Sequence, residues 1–518
     1  MSGTPLSARA LLAEADRLHL AKDYAGATEF YASALVKNAN LAMAWYGLGC
    51  ARGSLNEHGE AIEALRRAIA LTPDDPRMRA SLAEALFAAG HVSEAVREYQ
   101  RMALEGDAAL REVALRNIAC IAPGDPALDN AAILRLRKAW AATQKAKPLP
   151  ARPGWTPGRK LRIGYVGSYF GARNWMKMYM GVINAHDRDR FEINLIVDGP
   201  LPSAEAGYRD HPDDRIWEVD GVPNDELAGH IAGAELDVLV DLIGYSNLER
   251  MPLSLYRAAS VQMTWANMYA TTGFPDVDCV IGDAWTIPPE EDAFCAERVR
   301  RVPGTYLAFD PFYPVPDVAP LPRAKAGHVT FGSLTSAYKI TDPVIASWSR
   351  ILQGVPGSRL LLSNRTLARK SNRAELTARF KAQGIGVERV TLEGGGEHFD
   401  FLRTYDRIDI ALDAFPYSGG TTTAEALWQG VPVLTFNGDR WAARTSRSLL
   451  MAAGCADWVA EDQAGFESLA IRMGLAPEGL AATRAGLRAR VAASPACDTV
   501  SLCRALEAIY LEEAAAKG

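Results

Sequence analysis

Three columns of residues recur at an interval of 34 positions near the start of the chain. Ala27, Ala61 and Ala95 form one column, Tyr31, Leu65 and Tyr99 a second, and Ala15, Gly49 and Ala83 a third. Ala34 and Ala68 continue the register, which then meets Met102. Small residues let two helices cross closely, and large ones fill the gaps between successive units. The front of the chain is therefore committed to a stacked array of helix-turn-helix units. At 518 residues the whole is too long for one core, and about three domains are expected.

A period of 34 is that of tetratricopeptide repeats. The middle unit is the most complete, with Trp45, Leu48, Gly49, Ala61, Leu65, Ala68 and Pro73 at the fixed positions. Such an array either serves packing alone or offers a concave groove to a peptide or protein. Residues 107–147 read as further helices, REVALRNIAC and NAAILRLRKAW, that cap the stack and join it to the rest of the chain. Residues 1–147 are thus read as one helical domain.

PLPARPGWTPGRK, residues 148–160, reads as a boundary because of its prolines and glycines. Beyond it, short apolar runs alternate with helical stretches. LRIGYV, FEINLIVDG, LDVLVDLIG, VQMTWA and CVIGD form a first set, and the proline-rich stretch FDPFYPVPDVAPLP interrupts them. HVTFGSL, SRLLLS, ERVTLEG, IDIALDA and VPVLTF form a second. Continuous apolar strands between helices mean parallel sheets covered on both faces. The expectation is two Rossmann-like domains, residues 160–315 and 323–518, behind the repeats: an α plus α/β multidomain chain.

Composition narrows the partners. The net charge of −6 argues against nucleic acid, since phosphate binding needs a basic face. No run is long enough to span a membrane, and the start lacks the pattern of a signal peptide. Seven scattered cysteines without a C-x-x-C read as reduced thiols in a cytoplasm. Eight histidines without an i, i+4 pair argue against zinc.

DAFPYSGGTTTAEALWQGVPVLTF, Asp413 to Phe436, places Gly419, Gly420, Thr421, Thr422 and Thr423 between a buried strand and a helix. A helix start has unpaired N–H groups and the positive end of a dipole, glycines let a ligand approach, and threonines add hydroxyl donors. Together they suit a diphosphate. Glu425, in the first turns, can accept from two ribose hydroxyls; a capping arrangement of threonine and glutamate explains the same residues equally well. FGSLTSAYKITDP carries Ser336 and Lys339 at another strand-to-helix transition, and GGGEHFDFL carries His398 at a third. Lys339 could neutralise a leaving diphosphate, and the His398 imidazole could stack on a base.

These motifs resemble the O-GlcNAc transferase and SPINDLY family of glycosyltransferases. YKITDP, IDIALDAFPYSGGTTTAEALWQGVPVLT, GDRWAARTS and SPACDT carry the resemblance in the C-terminal half, and LRIGYV, AHDRDRFE, VDLIGYS and Thr271–Gly273 extend it. It implies a two-lobed GT-B enzyme that is inverting and metal-independent and uses no cofactor beyond a nucleotide-diphosphate sugar. By position Ser336, Lys339, His398, Gly420, Thr421, Thr422, Thr423 and Glu425 would bind the donor. The acceptor would be a protein presented by the repeats, and homo-oligomerisation is left open. UDP-GlcNAc is the preferred donor, with GDP-fucose the alternative; a repeat scaffold with a decayed catalytic half is the competing class.

The first lobe departs from the family. The aspartate and active-site histidine after LRIGYV are Tyr169 and Arg173 here, and arginine cannot act as a base near neutral pH. Arg173 is assigned with Lys339 to the catalytic groups, as a partner for phosphate or an acidic acceptor. Asn267-Met268-Tyr269-Ala270 replaces a stretch with two glycines, so the wall of Tyr269, Thr271 and Thr272 beside sugar and acceptor should be reshaped. Asp276-Val277-Asp278 resembles a metal-binding triplet, a short match that is common by chance.

Overall fold

The computed structural model describes residues 6–151 and 154–517. Arg152 and Pro153 of the linker, and the first five residues of the start, lie outside the described residues. The chain divides into two compact units, Met1–Ala127 with Ser333–Gly396 and Leu128–Gly332 with Glu397–Gly518.

The first unit opens with seven helices, α1 (Ala8–Leu20), α2 (Tyr24–Lys37), α3 (Ala42–Ser54), α4 (His58–Leu71), α5 (Pro76–Ala88), α6 (Val92–Glu105) and α7 (Ala108–Ile121). Each packs on the next. Every residue of the three columns that is an alanine is fully buried, and Tyr31, Leu65 and Tyr99 are buried beside them. Gly49 shows why its column is small: a Cβ there would lie 2.5 Å from Leu65 Cγ and 3.3 Å from the Ala61 carbonyl. The 34-residue period is therefore a spacing of helix crossings.

An eighth helix, α8 (Asn130–Ala141), belongs to the second unit. Its Arg137 is buried, donates to the Thr271 carbonyl at 2.6 Å and lies 3.6 Å from the centre of the Tyr245 ring. Trp140 packs against Tyr245 and Phe274.

The first lobe is a seven-stranded parallel sheet of β1 (Leu161–Gly167), β2 (Phe191–Val197), β3 (Arg215–Glu218), β4 (Val238–Asp241), β5 (Val261–Thr264), β6 (Cys279–Asp283) and β7 (Arg298–Val302). Its order is β3-β2-β1-β4-β5-β6-β7, the doubly wound arrangement that reverses direction beside β1. The central strands are almost wholly buried, as their unbroken apolar runs require. The edge strands β3 and β7 are charged, β3 mostly exposed and β7 mostly half-buried, and the charges blunt them against pairing with another chain.

The second lobe contributes β8 (Thr330–Ser333), β9 (Arg359–Ser363), β10 (Val390–Glu393), β11 (Ile410–Leu412), β12 (Val433–Phe436) and the two-residue β13 (Val459–Ala460). In the second unit β11 pairs in parallel with β8 and β12, and β12 with β13. In the first unit β9 and β10 form a parallel pair with Leu360 opposite Val390. The chain is thus a helical repeat array followed by two Rossmann-like domains. No helix among the described residues is long and apolar enough to cross a membrane.

Candidate functional site

β11 delivers the chain into the glycine-threonine turn, and Asp413 fixes its course. One oxygen of Asp413 accepts from the Ala414 and Gly419 N–H groups, the latter at 2.8 Å, and the other accepts from Thr435 Oγ1 at 2.8 Å. From the far side the helix Trp441–Ala452 holds the turn. Ser418 Oγ donates to the Ala442 carbonyl at 2.8 Å, Ser446 Oγ donates to the Gly419 carbonyl at 3.0 Å, and Ser446 and Thr423 share a 2.7 Å hydroxyl contact. The GDRWAARTS motif is the anchor of the turn rather than part of its surface.

The helix Thr421–Trp428 begins on Gly420, and no side chain caps it. Glutamate does not reach back to the helix start, so the capping arrangement that competed with ligand binding is not formed. Thr423 is buried and committed to Ser446, whereas Gly420, Thr421 and Thr422 remain partly open to solvent. Of the three threonines only the first two can offer hydroxyls to a ligand. Tyr405 donates to the Thr422 carbonyl at 2.9 Å and steadies the first turn.

Glu425 turns inward. Its Oε1 is 2.5 Å from the ammonium of Lys177, and the two side chains are 3% and 1% exposed. Lys177 also donates to Asn174 Oδ1 at 3.3 Å. Its nitrogen lies 4.9 Å from the centre of the Tyr313 ring, over which Arg173 also lies, at 5.9 Å. His398 opens the short helix His398–Arg403, meets Tyr313 edge to face at 4.9 Å, and brings Nε2 to 3.4 Å from Glu425 Oε1. Burial, then the positive charges of Lys177 and Arg173, hold the imidazole down to about 4, so it is neutral at physiological pH. Burial likewise pushes the Glu425 carboxyl up and the Lys177 amine down, and each partner's charge opposes that push.

The structure brings Glu425, His398 and Arg173 together around Lys177 and Tyr313, two residues that the sequence alone did not single out. The signal for Lys177 is its spacing: it lies four residues after Arg173, as a lone charge within WMKMYM. Tyr313 lies in the proline-rich stretch that reads as a mere interruption.

Thr271 Oγ1 donates to Glu297 Oε2 at 2.8 Å, and the Thr272 N–H and hydroxyl both donate to Glu297 Oε1, the N–H at 2.6 Å. The Thr272 carbonyl accepts from Tyr245 at 2.7 Å, as that of Thr271 does from Arg137. Both threonines are buried, and their hydroxyls are bonded to Glu297. Asn267 and Tyr269 keep left-handed backbone, φ 57° and 53°, without glycine, and Tyr269 packs on Tyr417 at 4.9 Å. Arg173 itself is exposed, at the start of the short helix Arg173–Met176.

Ser336 and Lys339 belong to the first unit. Ser336 is exposed and its carbonyl accepts from the Lys339 N–H at 3.0 Å, closing a helical turn over Ala337–Lys339. The repeats grip this turn. Phe87 stacks on Tyr338 at 5.1 Å, and Arg379 joins the Ala89 carbonyl at 3.2 Å to the Ile340 carbonyl at 3.0 Å.

Among the described residues one group, His186, Cys503 and Glu507, is compact enough to suggest a metal. Its atoms are already committed: His186 bonds Glu507 at 3.0 Å and Tyr165 at 2.7 Å, and Arg504 donates twice to Glu507. A cation would compete with Arg504, so the cluster reads as the pin of the last helix. Asp278 of the Asp-Val-Asp triplet is held by Arg257 and Lys517 and accepts from the Gln262 N–H.

The family model of glycosyl transferase family 41 matches residues 134–317 and 321–506, which include both lobes and the site motifs they carry. The chain belongs to glycosyl transferase family 41. A tetratricopeptide repeat model matches residues 54–128. Among curated relatives, the probable UDP-N-acetylglucosamine–peptide N-acetylglucosaminyltransferase SPINDLY of Solanum lycopersicum is 31% identical over 361 residues, covering 68% of this chain and 39% of that protein. The SPINDLY protein of Arabidopsis thaliana is 30% identical with the same coverage. This chain therefore spans about two fifths of the length of the curated relatives it matches. A solved structure of a lysine-to-methionine mutant of the Thermobaculum terrenum O-GlcNAc transferase superposes with a TM-score of 0.83 at 30% identity, over 98% of both chains.

Proposed function

We propose that this family 41 chain is an inverting, metal-independent glycosyltransferase that moves a sugar from a nucleotide diphosphate onto Ser or Thr hydroxyls of a protein. The observation that carries the reading is the uncapped helix start behind Gly420, with Thr421 and Thr422 open and the turn braced from behind by Asp413 and Ser446. Unpaired N–H groups on a rigid turn are preorganised for phosphate. In this reading Lys339 joins Thr421 and Thr422 on the diphosphate, Glu425 takes the ribose diol, and neutral His398 lies at the base. The acceptor oxygen bonds the anomeric carbon as the bond to the diphosphate breaks, and the acceptor proton passes to phosphate or water. Charge on the leaving group is met by lysine and helix start, work that a metal ion does elsewhere.

The names of the SPINDLY relatives favour UDP-GlcNAc as donor; GDP-fucose is the alternative. The repeats are read as the surface that presents the protein acceptor. The seven cysteines are all free, in keeping with a reducing cytoplasm. The test is to incubate the pure protein with UDP-GlcNAc, UDP-glucose and GDP-fucose, with and without a chelator, and follow nucleotide release. Release from one donor that persists in excess chelator supports the reading. Release abolished by chelation and restored by manganese overturns the metal-independent mechanism, and no release from any donor overturns the enzyme.

A further inference from the structure

Two polar groups face the Glu425 carboxyl: the Tyr313 hydroxyl, which bonds it, and His398, whose Nε2 lies 3.4 Å from Glu425 Oε1. They flank a carboxylate whose nearest cation among the described residues is Lys177, contributed by a segment 248 residues away. A carboxylate, a phenol and a neutral ring nitrogen together match the donors and acceptors of neighbouring hydroxyls. We propose that Lys177 is a specificity-determining positioning residue of the donor pocket: its ammonium holds the Glu425 carboxylate as an ionised acceptor for the ribose diol. The inference rests on the proposed assignment of Glu425 to the ribose.

The reason is electrostatic. A carboxyl with this little exposure is driven toward its neutral form, in which it is a weaker acceptor. The groups facing Glu425 are Lys177 and Arg173 from the segment after β1, Tyr313 from the proline-rich stretch, His398 from its own short helix and Tyr405 from the turn after that helix. Of these His398 is neutral and the tyrosines stay protonated, so the positive charge that acts on Glu425 comes from Lys177, while Arg173 lies over the Tyr313 ring. Without Lys177, burial acts on Glu425 against the Tyr313 hydrogen bond alone. Its second oxygen then loses the charge that makes it discriminate a hydroxyl from a hydrogen.

The test compares UDP and GDP with their 2′-deoxy analogues by titration from pH 6 to 9. The proteins are wild type, Lys177→Met, Lys177→Arg and Glu425→Gln. Wild type is expected to prefer the ribonucleotide by about tenfold across the range, the worth of one charge-assisted hydrogen bond. Lys177→Met should lose much of that preference, more at the acid end of the range than at the alkaline end, because burial then favours the neutral carboxyl. Lys177→Arg should retain it, which separates charge from packing. A Lys177→Met protein that keeps the wild-type preference at neutral pH, while Glu425→Gln loses it, overturns the role of Lys177 alone. A Glu425→Gln protein that keeps the preference overturns the ribose assignment beneath it.

Discussion

Gly419→Ala isolates the brace of the phosphate-binding turn. A Cβ at this position would fall inside contact distance of Thr423 Oγ1, 3.0 Å from Thr422 Oγ1 and 3.3 Å from Ser446 Oγ. Thr423 cannot yield easily, because it is buried and bonded to Ser446 at 2.7 Å. Gly419 cannot withdraw without lengthening its own 2.8 Å bond to Asp413. Overpacking a site of this kind costs about 1–3 kcal/mol, and weakening a buried hydrogen bond to a carboxylate places the expectation toward the upper end. Urea unfolding monitored by tryptophan fluorescence should show a lower midpoint, and nucleotide affinity should fall with it. Thr423→Ala removes the clashing hydroxyl, so the double variant should recover about 1 kcal/mol or more relative to the sum of the single changes. Gly420→Ala is the contrast, since a Cβ there meets only Thr445 Cγ2 at 3.4 Å. It should cost about 1 kcal/mol or less of stability, as a poorer helix start, while still obstructing the ligand. Strictly additive effects of Gly419→Ala and Thr423→Ala would refute the hydroxyl brace.

Two further expectations concern the repeats and the last helix. Gly90 has φ 89°, and a Cβ there would lie 2.6 Å from the Ile340 carbonyl and 3.1 Å from that of Ala337, so Gly90→Val should raise the donor KM while helical content by circular dichroism stays near wild type; Gly53→Ala, with nothing within 4 Å, is the control. Burial alone would raise Glu507, but His186, the Asp187 N–H and Arg504 bring it down to about 2, and burial holds His186 below its ordinary value against the pull of Glu507. The unfolded chain therefore takes protons that the folded one refuses: stability should decline as pH falls below about 6.5, and again from about 4.5 toward 2, the second step worth up to about 3 kcal/mol. A urea midpoint that stays flat from pH 7.5 to 4 would contradict the assignment.

The sequence was most legible where one residue type had one physical use. The repeat columns could be read because Gly49 and the buried alanines permit only small side chains at helix crossings. The central strands could be read because a parallel strand covered on both faces is apolar throughout. β3 and β7 escaped notice because edge strands are charged, and β13 because two residues carry no pattern. At the site, the glycine-threonine turn was legible as chemistry held within one short stretch. Lys177 and Tyr313 were not, since only folding brings them to Glu425. The bonds of Thr271 and Thr272 to the buried Glu297 were not legible either, since the partners lie some 25 residues apart in the chain.

The measurement that tests the central claim most directly is single-turnover sugar transfer to one protein acceptor by wild type, Arg173→His and Arg173→Ala. If catalysis rests on activating the leaving diphosphate, wild type transfers sugar, and Arg173→His changes the rate little or lowers it, because a general base is typically worth only about 10²–10⁴-fold. Transfer that appears only in Arg173→His would mean that the base is indispensable, that the natural chain is a decayed scaffold, and that activation of the leaving diphosphate does not suffice for transfer.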